Sequence, residues 1–230
     1  MVQPTLILAS GSPRRQELIR TFGLAVRIDP ADVDESMPEG TPPDVLVEQL
    51  SLRKAQAVSS RGGHEEGGIV IGSDTVVVLD GRILGKPRDE RDAIDMLWAL
   101  AGRTHRVYTG IACIGIGLPD KGGYDGTAAD VRFGDLGQYR TVADSTSGHP
   151  LAILGHTVSS VTFRPMSDEE IAAYVKTGEP LDKAGSYGVQ GLGAVFVEKI
   201  VGDFYGIMGL PLNLLYTMLL RLGVRFFDHS

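Results

Sequence analysis

The sequence predicts an α/β protein built on a mixed sheet. Short apolar runs bounded by turn residues, as at Thr5–Ala9 and Ile69–Leu79, alternate with amphipathic stretches of helical period, as at Asp44–Val58 and Asp89–Leu100. An Asp-Gly pair at Asp80–Gly81, set between two apolar runs, marks a hairpin turn. The 230 residues suffice for one large domain or for two small lobes around a shared cleft, and no internal repeat is evident.

Thr5–Ala9 reads as a buried strand. Ser12 can cap the helix that follows and Pro13 suits its first turn. Leu18, Ile19 and Phe22 supply that helix's apolar face, and Gly23 ends it. Residues 24–30 form a second short strand, and "DVDESMPEGTPP" forms a loop. In the helix from Asp44 to Val58, Val47, Leu50, Lys54 and Ala57 share one face. The flexible loop "RGGHEEGG" leads into the strand ending at the Asp80–Gly81 turn, and a short return strand follows. From Asp89 to Leu100 a helix turns Ala93, Met96, Leu97 and Leu100 inward, and Gly102 stops it. Arg106–Ile116 is rich in β-formers.

Residues 117–150 lose periodicity and are rich in Gly, Asp, Thr and Ser, which reads as an irregular insertion: a hairpin extension or a mobile loop. Order resumes with the strand "HTVSSVTFRPM". Ser167 and Glu170 then stand at capping-box spacing. Residues 185–209 read as glycine-rich loop, strand, turn and strand, and Pro211 opens a final helix carrying Leu214, Leu215, Met218, Leu219 and Leu222.

Composition narrows the function classes. A hydrophobic fraction of 43% with 22% charged residues is that of a soluble globular protein. The net charge of -7 argues against a nucleic-acid surface as the main partner, although a small anion needs only a local basic pocket. Cys113 is the single cysteine, which excludes intramolecular disulfides and fits a reducing compartment; its apolar surroundings make it core filler rather than a nucleophile. The first residues carry no basic n-region and residues 6–9 are too short an apolar run for a signal peptide. No apolar run approaches the roughly 18 residues of a membrane span. The expectation is a cytoplasmic protein with no membrane partner.

Four stretches carry candidate chemistry. In "LILASGSPRRQELIRTFG" a strand turns into a helix that opens on Arg14 and Arg15. A helix N-terminus prefers anions, so two cations there are locally unfavourable unless something negative meets them. Backbone N–H groups, the Ser10 and Ser12 hydroxyls and two guanidinium forks would together suit phosphate. The alternative is a capped helix with two solvated arginines. Asp74 is flanked by apolar residues and is expected at a strand end or kink near the core. A carboxylate there must be paired, hydrogen-bonded or metal-bound. As a base it needs help, since an ordinary Asp has a pKa of about 4. A structural Asp satisfied by backbone donors, or a turn at Ser73–Asp74, is the competing reading.

Lys54 lies on an apolar helix face, where snorkelling is common. Lys86 sits in the constrained "LGKP"; "GRILGKP" is not a Walker A loop, because its spacing is one residue short and Pro87 replaces the hydroxyl residue. Nor does "GIGLPD" satisfy the dinucleotide fingerprint. The five His residues show no metal-ligand spacing. Four glycines between 185 and 193 surround Gln190, which could read a base edge with acceptor and donors. Several cations, one or two carboxylates and a polar reader suit a nucleoside triphosphate with Mg2+.

With these residues assembled, the sequence resembles the Maf family. The resemblance rests on Ser10, Ser12, Pro13, Arg14 and Arg15, on "GSDTVV" around Asp74, on "LGKP" at Lys86, on "DKAGSYGVQG" from Asp182 to Gly191, and on "GLP" at Gly209–Pro211. It covers nearly the whole chain apart from about 117–150, and so implies a single Maf-like domain over residues 1–230. It also implies an elongated mixed sheet flanked by helices, of the inosine-triphosphate-pyrophosphatase type, with two lobes around a cleft. The implied activity is hydrolysis of a nucleoside triphosphate to the monophosphate and pyrophosphate. Asp74 would accept the proton of the attacking water, and Ser10, Arg14, Arg15, Lys54 and Lys86 would hold the substrate. Glu35 would stand near metal and phosphates, with Glu35 and Asp74 as ligands of a divalent cation, Mg2+ or Mn2+. Arg14, Thr75 and Gln190 match the members acting on dTTP and UTP rather than those acting on 7-methyl-GTP. A homodimer is implied too. Two other readings stand beside this one: a pyrophosphatase for 7-methyl-GTP or modified nucleotides, and a nucleotide-binding regulator of cell division.

Overall fold

The computed structural model describes residues 3–61, 67–118, 131–132, 134, 137–144 and 150–227. The chain begins with β1 (Thr5–Leu8), α1 (Pro13–Arg20), β2 (Val26–Ile28) and the long helix α2 (Pro43–Ser59). β3 (Gly68–Leu79) turns through Asp80–Gly81 into β4 (Arg82–Leu84), and α3 (Glu90–Leu100) leads to β5 (Thr104–Ile116). Then come β6 (Val131–Arg132), β7 (Gln138–Asp144), β8 (Pro150–Phe163) and α4 (Asp168–Val175). Short 3-10 turns fill Glu179–Phe196, and β9 (Val197–Val201), α5 (Phe204–Met208) and α6 (Leu212–Arg221) follow.

The described strands form one mixed sheet in the order β2-β1-β3-β5-β8-β7-β6, with β4 added on β3 and β9 on β8. β1 runs parallel to β2 and β3; the other pairings are antiparallel. β3, β5 and β8 are long enough to pass through two hydrophobic cores. At one end, α1 and α6 cover Leu6, Leu8, Ile69 and Ile71, and at the other, α3 and α4 cover Val77, Leu79, Val107 and Phe163. Along the opposite sheet face α2 packs Val58 and Ala55 on Val70, and Val47 on Val76 and Val78. β3 is therefore covered on both faces, which fits its two apolar runs, Ile69–Ile71 and Val76–Leu79, on either side of Gly72–Thr75.

Between the two cores the edge of β3 lies open. β1 pairs it as far as Ile71, and β4 takes over only at Val77. Residues 72–76 have a strand partner on the β5 side alone. A cleft forms at this interruption, and Asp74 sits in it. Asp74, expected at a strand end or kink, stands inside a continuous β3, and what ends there is the neighbouring strand.

Two glycines bring α2 onto the sheet. A Cβ at Gly72 would stand 2.1 Å from the Ser51 carbonyl oxygen, and one at Gly110 would stand 2.2 Å from that of Val47. Helix backbone therefore touches strand backbone. Farther along the sheet, buried Glu48 of α2 meets His156 of β8 at 2.7 Å and Arg140 of β7 at 2.5 Å, tying both strands to the helix. Burial pushes the Glu48 carboxyl up, but these two partners outweigh it and hold it below its ordinary value.

Other expectations needed revision. Ser12 occupies the N-cap of α1, yet its side chain caps nothing; its N–H donates to Ser10 Oγ at 3.2 Å. The strand expected over 24–30 is confined to Val26–Ile28. The second strand expected before Gly209 is the helix α5, because Asp203 accepts from the Tyr205 N–H at its start and Gly209 closes it at φ 112°. Within 117–150, the antiparallel pair of β6 and β7 fits the hairpin-extension reading of the irregular insertion, and β8 begins at Pro150. Residues 119–130, 133, 135–136 and 145–149 lie outside the described residues. The Ser167–Glu170 capping box forms as expected, and Cys113 is buried, its thiol pushed far up by desolvation.

Gly110→Ala should destabilise the protein by about 3 kcal/mol in urea unfolding, because overpacking against a helix backbone cannot be relieved by a side-chain rotation. Gly85→Ala, with no heavy atom within 4 Å of its new Cβ, should change stability by less than about 0.5 kcal/mol.

Candidate active site

The cleft beside the open edge of β3 encloses about 720 Å³, a size suited to a small-molecule ligand. All nine residues singled out in the sequence line it. Ser10 follows β1, and Arg14 and Arg15 lie on the first turn of α1. Glu35 comes from the loop before α2, Lys54 from α2, and Asp74 and Thr75 from β3. Lys86 follows β4, and exposed Gln190 stands in the glycine-rich segment.

At the centre is Lys54. Its Nζ lies 2.6 Å from Asp74 Oδ1 and 2.7 Å from Glu35 Oε1. The lysine and aspartate side chains are only 10% and 12% exposed, so each needs the other. Lys54 therefore does not snorkel to solvent, and Asp74 is satisfied by an ammonium rather than by backbone donors. Asp74 Oδ2 makes no hydrogen bond among the described residues and is left for a ligand. Glu35, 59% exposed, closes the trio from the mouth. Burial pushes its carboxyl up, but the Lys54 hydrogen bond and the charges of Lys54, Lys86 and Arg15 prevail, leaving it below its ordinary value.

Arg15 is held in place by neutral acceptors. Its Nε donates to the Gly209 carbonyl at 2.8 Å, Nη2 to Thr75 Oγ1 at 3.1 Å and Nη1 to Ser10 Oγ at 3.4 Å. Three of five N–H groups are thus used, which fixes the guanidinium plane and leaves two donors over. Burial lowers its pKa, the Asp74 charge opposes this and Arg14 adds to it; the group stays charged regardless. No carboxylate bonds Arg15 directly among the described residues. The second arginine, Arg14, is 4.0 Å from Asp182.

The lining residues include five cations (Arg14, Arg15, Lys54, Lys86, Lys183) and three acids (Glu35, Asp74, Asp182). A chain of net charge -7 has thus gathered a surplus of positive charge at one spot, as an anionic ligand demands. The unfavourable placement of two arginines at a helix start now has a physical context: a cleft built to be completed by an anion.

Asp182 and Lys183, which open the "DKAGSYGVQG" motif, also line the cleft; Lys183 Nζ bonds Asp182 Oδ1 at 2.6 Å and the Glu179 carbonyl. Tyr187 lines the cleft as well and meets His105 Nε2 at 2.8 Å. Burial lowers the His105 pKa to about 4, so this pair is neutral at pH 7. Tyr187 belongs to the "DKAGSYGVQG" motif, but its pairing with His105 has no local sequence signal, because the contact joins residues 82 positions apart.

The donor set can be tested against a divalent cation. Glu35 and Asp74 present two hard carboxylates within reach of one ammonium, and no group of three His, Cys, Asp or Glu assembles among the described residues. Two carboxylates completed by substrate phosphates are how Mg2+ is usually bound, so the residues fit that chemistry.

Lys54→Met should raise the Glu35 pKa, read from its carboxyl carbon in an NMR titration. Since the folded value lies below the unfolded 4.5, the pair adds stability above about pH 4.5, lost as pH falls through the folded value. In Lys54→Met that acid-side loss should be missing; an unmoved Glu35 titration would show that Lys54 is not its neutralising partner.

Comparison with known proteins identifies the family. The Maf-like protein family matches residues 5–222. A protein of Symbiobacterium thermophilum named dTTP/UTP pyrophosphatase is 42% identical over 222 residues, covering 96% of each chain. Proteins of the same name from Moorella thermoacetica and Alkaliphilus metalliredigens are each 41% identical, over 95% and 90% of both chains respectively. On the family match across residues 5–222 and these full-length likenesses, the chain belongs to the Maf-like protein family.

Proposed function

We propose that this protein is a nucleoside triphosphate pyrophosphatase that hydrolyses dTTP and UTP to the monophosphate and pyrophosphate. The observation that carries the reading is the ion trio of Lys54, Asp74 and Glu35 in a cleft with surplus positive charge. The relatives named dTTP/UTP pyrophosphatase supply the substrate class.

In this reading Arg14, Arg15, Lys86 and the start of α1 grip the triphosphate, with Ser10 contributing its hydroxyl. Asp74 Oδ2 faces the water that attacks the α-phosphorus and takes its proton; the bond to the bridging oxygen breaks and pyrophosphate leaves. Lys54 keeps Asp74 in place and balances its charge. Glu35 and Asp74 would hold a divalent cation, Mg2+ or Mn2+, which when bound neutralises phosphate charge and makes water more acidic. Catalysis is then positioning plus electrostatic stabilisation of phosphoryl oxygens. Gln190 at the rim offers an amide that can pair with a uracil or thymine edge. Arg14 and Thr75 complete the set that distinguishes this substrate class.

No described helix is long and apolar enough to cross a membrane. Action in the cytoplasm on free nucleotides, without a nucleic-acid partner and as a homodimer, completes the proposal; the acidic net charge and the single buried cysteine support the first two.

The test is release of pyrophosphate and monophosphate from dTTP, UTP, CTP, GTP, ITP and 7-methyl-GTP with Mg2+. Turnover of dTTP and UTP is expected, with Asp74→Asn slower by at least about 100-fold. Chelation should abolish it, and Mg2+ or Mn2+ should restore it. Preference for 7-methyl-GTP would refute the roles of Arg14, Thr75 and Gln190. Binding without any turnover would favour a regulatory protein instead.

A further inference from the structure

Beneath the cleft a line of polar groups runs from Arg15 Nη2 into the protein, beside the one that Nε makes through the Gly209 carbonyl to Ser73. Arg15 Nη2 donates to Thr75 Oγ1 at 3.1 Å, Thr75 Oγ1 lies 3.0 Å from Thr109 Oγ1, and Thr109 Oγ1 donates to the Gly206 carbonyl at 2.7 Å. Chemistry fixes every direction along this line. A guanidinium only donates, a carbonyl only accepts, and a threonine hydroxyl has one proton. Thr109 gives its proton to Gly206, so Thr75 must give its own to Thr109. Thr75 is left with lone pairs alone toward the cleft, which is the state that accepts from Arg15. A Thr75 hydroxyl turned the other way would set hydrogen against hydrogen at the guanidinium.

Thr109 is fully buried on β5, directly opposite Thr75 in the sheet register, and is not among the residues lining the cleft. Its routes to a ligand run through Thr75 to Arg15 and through the Gly206 carbonyl to Ile207, Met208 and Gly209, which line the cleft. Gly206 would not be orphaned without it, because the Gly209 N–H also donates to that carbonyl at 2.9 Å. We propose that Thr109 is a positioning residue that locks Thr75 as an acceptor and so fixes the plane of Arg15. A substitution at position 75 would then act on the reaction through the arginine, not only through contact with the base. The effect on catalysis rests on the reading that Arg15 grips the triphosphate; the effect on the arginine itself does not.

Two measurements separate these. In the free protein, rotation of the Arg15 Nη2 group about Cζ–Nη2, followed by arginine side-chain NMR, should be slow in wild type and in Thr109→Ser. In Thr109→Val, folded to the same extent by thermal melting, it should speed up by about tenfold, as expected when a hydrogen bond is lost. Unchanged rotation in Thr109→Val overturns the proposal. With dTTP, Thr109→Val should lower kcat/KM by about tenfold, mainly through kcat, while Thr109→Ser stays within about threefold of wild type. In an Arg15→Ala background Thr109→Val should cost less than about twofold further, because residues acting along one path are not additive. A tenfold loss that persists without Arg15 would also overturn the proposal. If wild type hydrolyses none of the nucleotides, the functional reading fails, and the NMR comparison still decides the role of Thr109.

Discussion

The approach of α2 to the sheet is the constraint on which the site depends. With glycine at 72 and 110 the helix backbone rests on strand backbone, and only then can Lys54 span the gap to Asp74. The buried aspartate is tolerable because the ammonium is there, and the buried ammonium is tolerable because two carboxylates flank it. Remove the close approach and both charges are left in a low-dielectric place without partners. Packing and electrostatics are here one problem: two missing side chains on the sheet make room for one long one.

The position of the cleft follows from strand lengths. β1 stops at Leu8 while β3 continues, and β4 joins β3 only after an interruption. α5 fills the opposite face at the same level, held by Ser73 and Arg15 on the Gly209 carbonyl and by Thr109 on that of Gly206. Polar tethers are used there because the two hydrophobic cores lie to either side. Ser73 and Thr109 are accordingly buried hydroxyls, and Thr75 a half-buried one, with assigned partners rather than weak spots in the core.

Much of this was legible in the sequence. Periodicity found α1, α2, α3, α4 and α6, and the Asp80–Gly81 turn, since each carries its own local signal. The motif residues around Ser10, Asp74, Lys86 and Gln190 do gather at one cleft. What could not be read was anything set by register. Asp74 was expected at a strand end because a charge inside an apolar run usually marks one, whereas the neighbouring strand's end creates the opening. "FYGIM" reads as the last strand before Gly209 but forms α5; the Asp203 cap and the turn at Gly209 decide this. The chain from Arg15 to Gly206 joins four distant segments, and no local pattern announces it.

The three longest strands, β3, β5 and β8, run unbroken through both lobes. Two lobes that share a sheet cannot swing about a hinge as two lobes joined by a linker can. The cleft is therefore a fixed slot and not a pair of jaws. Its charged groups stand at working distance before any ligand enters, so little reorganisation remains for the moment of reaction. Adjustment is left to the side chains at the rim, Lys86 and Gln190, which carry few internal ties. A rigid floor with a pliant rim would let the chemistry stay constant while the choice of base drifts with a few residues.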